Sequence, residues 1–161
     1  MGAHEQIRVV ILLAFLIGVV AGLRAMTPLA VVSWAAFLGW LQVRGTWLAF
    51  LAHAVTPYIA SALALGELIG DKLPKTPSRK VPIQFGTRIA VGALCGAALS
   101  AVSGGLLIGL IAGAVGGVVG TLGGSALRTR LSQMFGKDLP AALLEDAVAI
   151  GGALLILWRF A

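Results

Sequence analysis

The sequence predicts an all-α integral membrane protein, a compact bundle of five or six short transmembrane helices. Hydrophobic residues make up 59% of the 161 positions, and Asp, Glu, Lys and Arg only 11%. The mean hydropathy is +1.01. A soluble domain carries about 25% charged residues, so this chain has too little polar surface to remain in water. Crossings of about 20 residues each would occupy nearly all of it. We therefore expect one transmembrane domain over residues 1–161 and no separate catalytic domain.

Four apolar segments precede the last basic region of the chain. Residues 7–23 predict a first crossing, and residues 47–70 predict another. Residues 28–41 are too few for a comfortable crossing at about 1.5 Å per residue, so they form a short tilted helix, a re-entrant segment or the far half of a kinked helix. Residues 84–127 are too long for one crossing, and we expect a hairpin at 103–105.

Basic residues predict the topology of the bundle. The net charge is +6, and the segments 71–83 and 128–137 hold seven Lys and Arg between them. The positive-inside rule explains this excess without nucleic acid, which is not an expected partner. It places both segments in the cytoplasm and residue 161 outside. The last helix is expected to be capped by Asp138 and to begin at Pro140. The side of the N-terminus depends on whether residues 28–41 cross.

Small residues recur at four-residue intervals and predict close helix packing in the lipid bilayer. We expect most of this packing within the chain, and part of the 109–124 ridge to serve a homodimer. The glycine pairs and ridges are Gly18 and Gly22, Gly66 and Gly70, Gly92 and Gly96, Gly109 and Gly113, and Gly116, Gly120 and Gly124.

Charged residues inside the apolar segments are the candidate site. Each costs roughly 2.5 to 3.5 kcal/mol on membrane-insertion scales, so each needs a partner or a function. Within one helix the acids only repel each other, so opposite charge must come from other helices. We expect them to converge, although they are far apart in the sequence. The candidate substrate- or ion-binding residues are Arg24, Glu67, Asp71, Arg88, Glu145 and Asp146. A purely structural alternative pairs the four acids with Arg24, Arg88, Arg128 and Arg130.

Two further patterns concern helix breaks and duplication. Pro28 and Pro57 are predicted to break helices and to free the carbonyls of Arg24 and His53, although a simple position in a first helical turn is the alternative. The string ALGE (64–67) is similar to ALLE (142–145), and GLR is similar to GTR. These similarities predict an inverted repeat with halves 7–75 and 84–160. Such repeats are typical of transporters.

Four strings resemble a bacterial membrane family named domain of unknown function 4126. They are AGLRAMTPLAVVSWAA (21–36), ALGELIGDKLPKTPSR (64–79), RIAVGALCGA (88–97) and LLEDAVAIGGALL (143–155), in this order along nearly the whole chain. The resemblance implies that Gly22, Arg24, Pro28, Glu67, Asp71, Lys72, Pro74, Glu145 and Asp146 belong to linked motifs. It implies a location in the bacterial inner membrane, and it assigns no function.

The leading functional hypothesis is a small transporter or channel for an ion or small polar solute. The alternative is a non-transporting lipid-binding, assembly or accessory protein whose charges are structural. No H-E-x-x-H, P-loop or G-x-S-x-G motif occurs, so we expect no enzyme and no cofactor. Mg²⁺ binding by the acidic pairs is a third possibility, and the identity of any metal stays open.

Overall fold

The computed structural model describes residues 2–72 and 81–161, and six α-helices account for most of them. Part of the 71–83 segment therefore lies outside the described residues. The helices are α1 (Ala3–Leu23), α2 (Met26–Phe37), α3 (Thr56–Gly70), α4 (Pro82–Ser100), α5 (Leu106–Phe135) and α6 (Asp138–Trp158).

Four of these helices are long and apolar enough to cross a membrane, namely α1, α4, α5 and α6. The other two are shorter, with 12 residues in α2 and 15 in α3. At 1.5 Å per residue they reach only about 18 and 22 Å, less than the roughly 30 Å of a hydrocarbon core. The prediction of an all-α, multi-pass membrane protein is confirmed. Most of the short segment 28–41 lies in the short helix α2, which begins at Met26 and ends at Phe37.

The prediction of a single span over residues 47–70 is wrong. The chain forms a 3-10 segment at Trp47–Ala52, leaves it at His53, and begins α3 only at Thr56. The break is held locally, since the Thr56 hydroxyl donates to the Phe50 carbonyl at 2.6 Å. Leu48 and Leu51 in the 3-10 segment are fully buried. Irregular backbone of this kind is tolerated at membrane depth where protein covers it.

Pro28 and Pro57 do not kink helices. Each lies in the first turn of its helix, Pro28 in α2 and Pro57 in α3. A first-turn proline loses no internal hydrogen bond, since the amides of that turn have no helical partner. The carbonyl of His53 is not freed, because it accepts from the amide of Thr56 at 3.1 Å. The helix breaks therefore lie before the first residues of α2 and α3, and the prolines lie inside the first turns that follow.

The connections of the last three helices follow the prediction in part. The expected hairpin at 103–105 is confirmed, with a 3-10 turn at Ala101–Ser103 and Gly104 in the left-handed region at φ 70°. The basic segment 128–137 is mostly the end of α5, which continues to Phe135. Asp138 is not a cap: Lys137 is the N-cap residue, and Asp138 stands in the first turn of α6 ahead of Pro140.

Glycines bring α1 and α4 into backbone contact with α5. A Cβ atom on Gly92 would lie 2.7 Å from the carbonyl oxygen of Gly113, and one on Gly18 or Gly96 would also collide with α5. Further along α5, side chains on Gly116 and Gly120 would strike the backbone of α1. Small residues allow this approach in lipid, where no hydrophobic force drives helices together.

The same contacts show what the glycine ridge at 109–124 packs against. Gly109, Gly113, Gly116 and Gly120 face helices of their own chain, so these positions are not open to a second copy. For the expected pair Gly66 and Gly70 in α3, no described residue lies within 4 Å of either added Cβ. Among residues 2–72 and 81–161, that pair therefore shows no such backbone approach. A homodimer stays a prediction.

The helices alternate in direction, so each of the six has one terminus at the same end of the bundle. Glu67, near the end of α3, bonds the amide of Met26 at the start of α2. Arg88, in the second turn of α4, bonds the carbonyl of Leu23 at the end of α1. Arg128, toward the end of α5, pairs with Glu145 near the start of α6. We call this the network end. The start of α1 and the end of α6 both lie at the opposite end, which is the arrangement expected if residues 28–41 cross.

Candidate functional site

The structure brings the six predicted site residues together at the network end. Arg24 is 0% exposed and Arg88 3% exposed, while Glu145 and Asp146 are at most 9% exposed. The side chains of Glu67 and Asp71 are each 14% exposed. Ionised groups this far from water require close partners, because desolvation of a charge costs several kcal/mol. The charged side chains come from the α1–α2 connection and from α3, α4, α5 and α6 or their ends, while α1 contributes its last carbonyls and α2 its first backbone amides.

Arg24 is the hub of this charge network. It stands in the two-residue connection between α1 and α2, where the chain reverses direction. Its Nη1 donates to Asp71 at the end of α3, and its Nη2 is paired with Asp146 in α6. One buried guanidinium thereby ties the α1–α2 turn to two other helices. The repulsion expected between Glu67 and Asp71 is offset because separate arginines face them.

Glu67 and Arg88 close the ends of the first two helices. The Glu67 carboxylate accepts from the amide of Ala25 at 3.0 Å and from that of Met26 at 2.8 Å. Arg88 Nη1 donates to the carbonyls of Gly22 at 2.9 Å and Leu23 at 2.6 Å. The two side chains also pair with each other at 3.3 Å. Helix ends leave amides and carbonyls without internal partners, and here α3 and α4 supply them.

Two members of the network, Lys72 and Asp138, were assigned other places from the sequence, and Arg128 was expected there only in the structural alternative. Lys72 Nζ binds Asp146 Oδ2 at 2.8 Å, although the sequence assigned Lys72 to a solvent loop. Arg128 Nη1 lies 3.3 Å from Asp71 and 3.4 Å from Glu145. Asp138 accepts from Arg128 Nη2 at 2.6 Å. The available signal for Lys72 was its place directly after a buried acid at a helix end.

The balanced set of four arginines and four acids needs one correction. Arg130 is exposed on α5, and Lys72 takes the fourth cationic place instead. Arg130 is two residues from Arg128 on the same helix, about 200° around it, so the two cannot face the network together. A long lysine side chain at a helix end reaches back along its own helix, as the contact of Nζ with the Leu68 carbonyl shows.

A small cavity of about 50 Å³ lies beside the network, between α1, α5 and α6. Its polar lining is Arg128 and Glu145, and the rest is apolar, including Leu23, Leu131 and Val148. Within residues 2–72 and 81–161 no group of three or more His, Cys, Asp or Glu side chains is arranged to hold a metal ion. The carboxylates of the two acidic pairs face cationic side chains.

The fold and the site define a class, that of polytopic helical membrane proteins with a buried charge network at one end of the bundle. Residues 11–158 match the model of the family described as Domain of unknown function (DUF4126). The match spans most of the chain, so the protein belongs to this family, as its motifs indicated. No curated protein and no solved structure is significantly similar to it.

Proposed function

We propose that the protein is a small transporter or channel for an ion or small polar solute, and that the charge network closes one end of its path. The observation that carries the proposal is Arg24, wholly buried at the turn between two helices and paired with acids of two others. Ionisable residues at membrane depth are costly, and they mark ion and substrate pathways.

The network contains second partners for its acids. Asp146 faces Lys72 as well as Arg24, and Asp71 faces Arg128 as well as Arg24. Leaving a buried charge unpaired costs about 3 to 5 kcal/mol, whereas exchanging one partner for another avoids this cost. An incoming ion or solute that competes for Arg24 would therefore release α3 or α6 from the α1–α2 turn. Separation of these helices would open the network end.

The orientation proposed is cytoplasmic for the network end and periplasmic for both termini, in the bacterial inner membrane. The connecting segments 71–83 and 128–137 at the network end hold seven Lys and Arg. The opposite end carries exposed Trp40, Trp47 and Trp158. Basic cytoplasmic connections and interfacial tryptophans are the usual markers of orientation and depth.

A second candidate function is a non-transporting accessory or lipid-associated protein whose network is purely structural. The Glu67–Arg88 pair favours it, because both side chains satisfy helix ends and need no ligand to explain them. Among the described residues, the charges of Arg24, Lys72, Arg88 and Arg128 also balance those of the four largely buried acids, Glu67, Asp71, Glu145 and Asp146, while exposed Asp138 pairs with Arg128 at the edge of the network.

Flux measurements in proteoliposomes separate the two functions. The purified protein is reconstituted and tested with a panel of inorganic ions and small polar solutes, beside protein-free liposomes. Lys72→Gln, which removes a second partner of Asp146, is expected to alter the flux. Glu5→Gln, at an exposed position of α1 near the opposite end, is the matched control and leaves it unchanged. Absence of flux across the panel from protein shown to be folded contradicts transport and leaves the structural function.

A further inference from the structure

One edge of the Arg24 guanidinium carries Nε and Nη2, and neither nitrogen makes a hydrogen bond with the described residues. Nη2 lies 2.5 Å from Asp146 Oδ1, close enough for an ion pair but without the alignment of a hydrogen bond. Nη1 is already bonded to Asp71. The Nε–Nη2 edge presents two roughly parallel N–H groups, which is the geometry that matches a carboxylate or phosphate. A buried donor left without an acceptor is destabilising, and Nε is such a donor among the described residues.

We propose that this edge of Arg24 binds a small oxyanion through two of its oxygens. The inference rests on the proposed function and narrows its substrate class from ions and polar solutes to oxyanions, whether free in solution or on a lipid headgroup. In the structure, the carboxylate of Asp146 occupies part of the position that the oxyanion would take. Its other oxygen, Oδ2, is held by Lys72 Nζ at 2.8 Å. Asp146 therefore keeps a partner when an incoming oxyanion takes over Arg24.

The charge around the site favours an anion over a cation. Beyond the paired groups, Arg130 and Lys137 are exposed at the network end. Of the described residues in the connecting segments there, Lys72, Arg128, Arg130 and Lys137 are basic and Asp71 is acidic, with Asp138 directly after the second segment. Such an excess raises the local concentration of anions and their rate of encounter. A cation would have to replace Arg24 at Asp71 or Asp146, whereas an oxyanion can bind Arg24 itself.

The test is thermal unfolding of the detergent-purified full chain against increasing acetate or inorganic phosphate, with chloride at matched ionic strength. We expect a saturable rise in Tm with the oxyanions and none with chloride. Asp146→Asn removes the tethered competitor and should lower the half-maximal anion concentration several-fold. Arg24→Lys keeps the charge but lacks the two-donor edge, so the response should disappear. Arg130→Lys, at an exposed arginine of the same end, should retain it.

A second variant keeps the test decisive if Arg24→Lys does not fold. Lys72→Gln leaves Asp146 with Arg24 as its cation, so a higher anion concentration should be needed for the same rise in Tm. Micelles containing phosphatidylglycerol distinguish the source. A response to this lipid alone, lost in Arg24→Lys or weakened in Lys72→Gln, assigns the oxyanion to a headgroup. No saturable response to soluble anions or lipid, or weaker binding in Asp146→Asn, overturns the inference. If cations cross the membrane but oxyanions do not raise Tm, the oxyanion site is refuted and transport is not. If oxyanions raise Tm but no solute crosses, transport is refuted and the site is not.

Discussion

Glu67 and Arg88 form a single clasp over the turn between α1 and α2. The carboxylate holds the first amides of α2, the guanidinium holds the last carbonyls of α1, and the two groups meet at 3.3 Å. A turn of two residues would otherwise leave several backbone groups of both helices without partners inside the protein. The clasp therefore explains how so abrupt a reversal is tolerated beside a bilayer.

Glu67→Gln is predicted to destabilise the protein by up to about 3 to 5 kcal/mol, because it removes a negative partner of a buried arginine. The amide oxygen of glutamine also accepts less well from the two backbone amides. Thermal unfolding in detergent measures the effect as a large drop in Tm. Glu5→Gln, exposed in the first turn of α1, is the control and should unfold like the parent. Equal Tm values for the two variants would show that the clasp is not important for stability.

Arg24 and Asp71 are predicted to be energetically coupled. Arg24→Gln and Asp71→Asn each leave a buried charge with one partner fewer, so each should cost several kcal/mol, about 3 to 5 for a strictly buried pair. The double variant should be more stable than the sum of the single effects by about 0.5 to 3 kcal/mol. Chemical unfolding in detergent of all four proteins gives this coupling energy. Strict additivity would mean that the contact between the two side chains contributes nothing.

Gly113→Ala is predicted to disrupt the α1–α4–α5 packing. An added Cβ would strike the backbone of Gly92 and approach that of Gly96, and backbone does not move aside as a flexible side chain does. Overpacking of this kind costs about 1 to 3 kcal/mol, and more where backbone is involved. Gly123→Ala in the same helix is the matched control, since no atom of the described part of the chain lies within 4 Å of its added Cβ. The control should be neutral or up to about 1 kcal/mol more stable, from helix propensity. A higher Tm for Gly113→Ala than for Gly123→Ala would contradict this packing.

The topology proposed for the bundle is tested by reporter fusions after residues 104, 137 and 161. We expect a cytoplasmic signal at 137 and periplasmic signals at 104 and 161, because the hairpin at 103–105 contains no basic residue and the two basic segments connect helices at the network end. A periplasmic tag added before residue 1 should be accessible from outside intact cells. A cytoplasmic signal at 104 would invert the whole arrangement.

The sequence by itself determined the class of protein, the family and the candidate charges. Composition and hydropathy require a membrane environment, and the cost of a charge in lipid picks out Arg24, Glu67, Asp71, Arg88, Glu145 and Asp146. The hairpin at 103–105 was also predictable, since an apolar run of that length must turn. An inverted repeat stays a prediction, and the halves differ in helix length, with 12 and 15 residues in α2 and α3 and 30 in α5.

Only the tertiary structure decided which charges are partners and which helices are continuous. Lys72 rather than Arg130 joins the network, because the directions of side chains around helix ends depend on neighbouring helices. The segment 47–70 is not one helix, because the protein buries a 3-10 segment at its start. Hydropathy alone does not distinguish such a buried 3-10 segment from a helix. Glu67 and Arg88 bond to backbone groups of a distant turn. Such contacts join residues far apart in the chain, and a sequence pattern records only what is local.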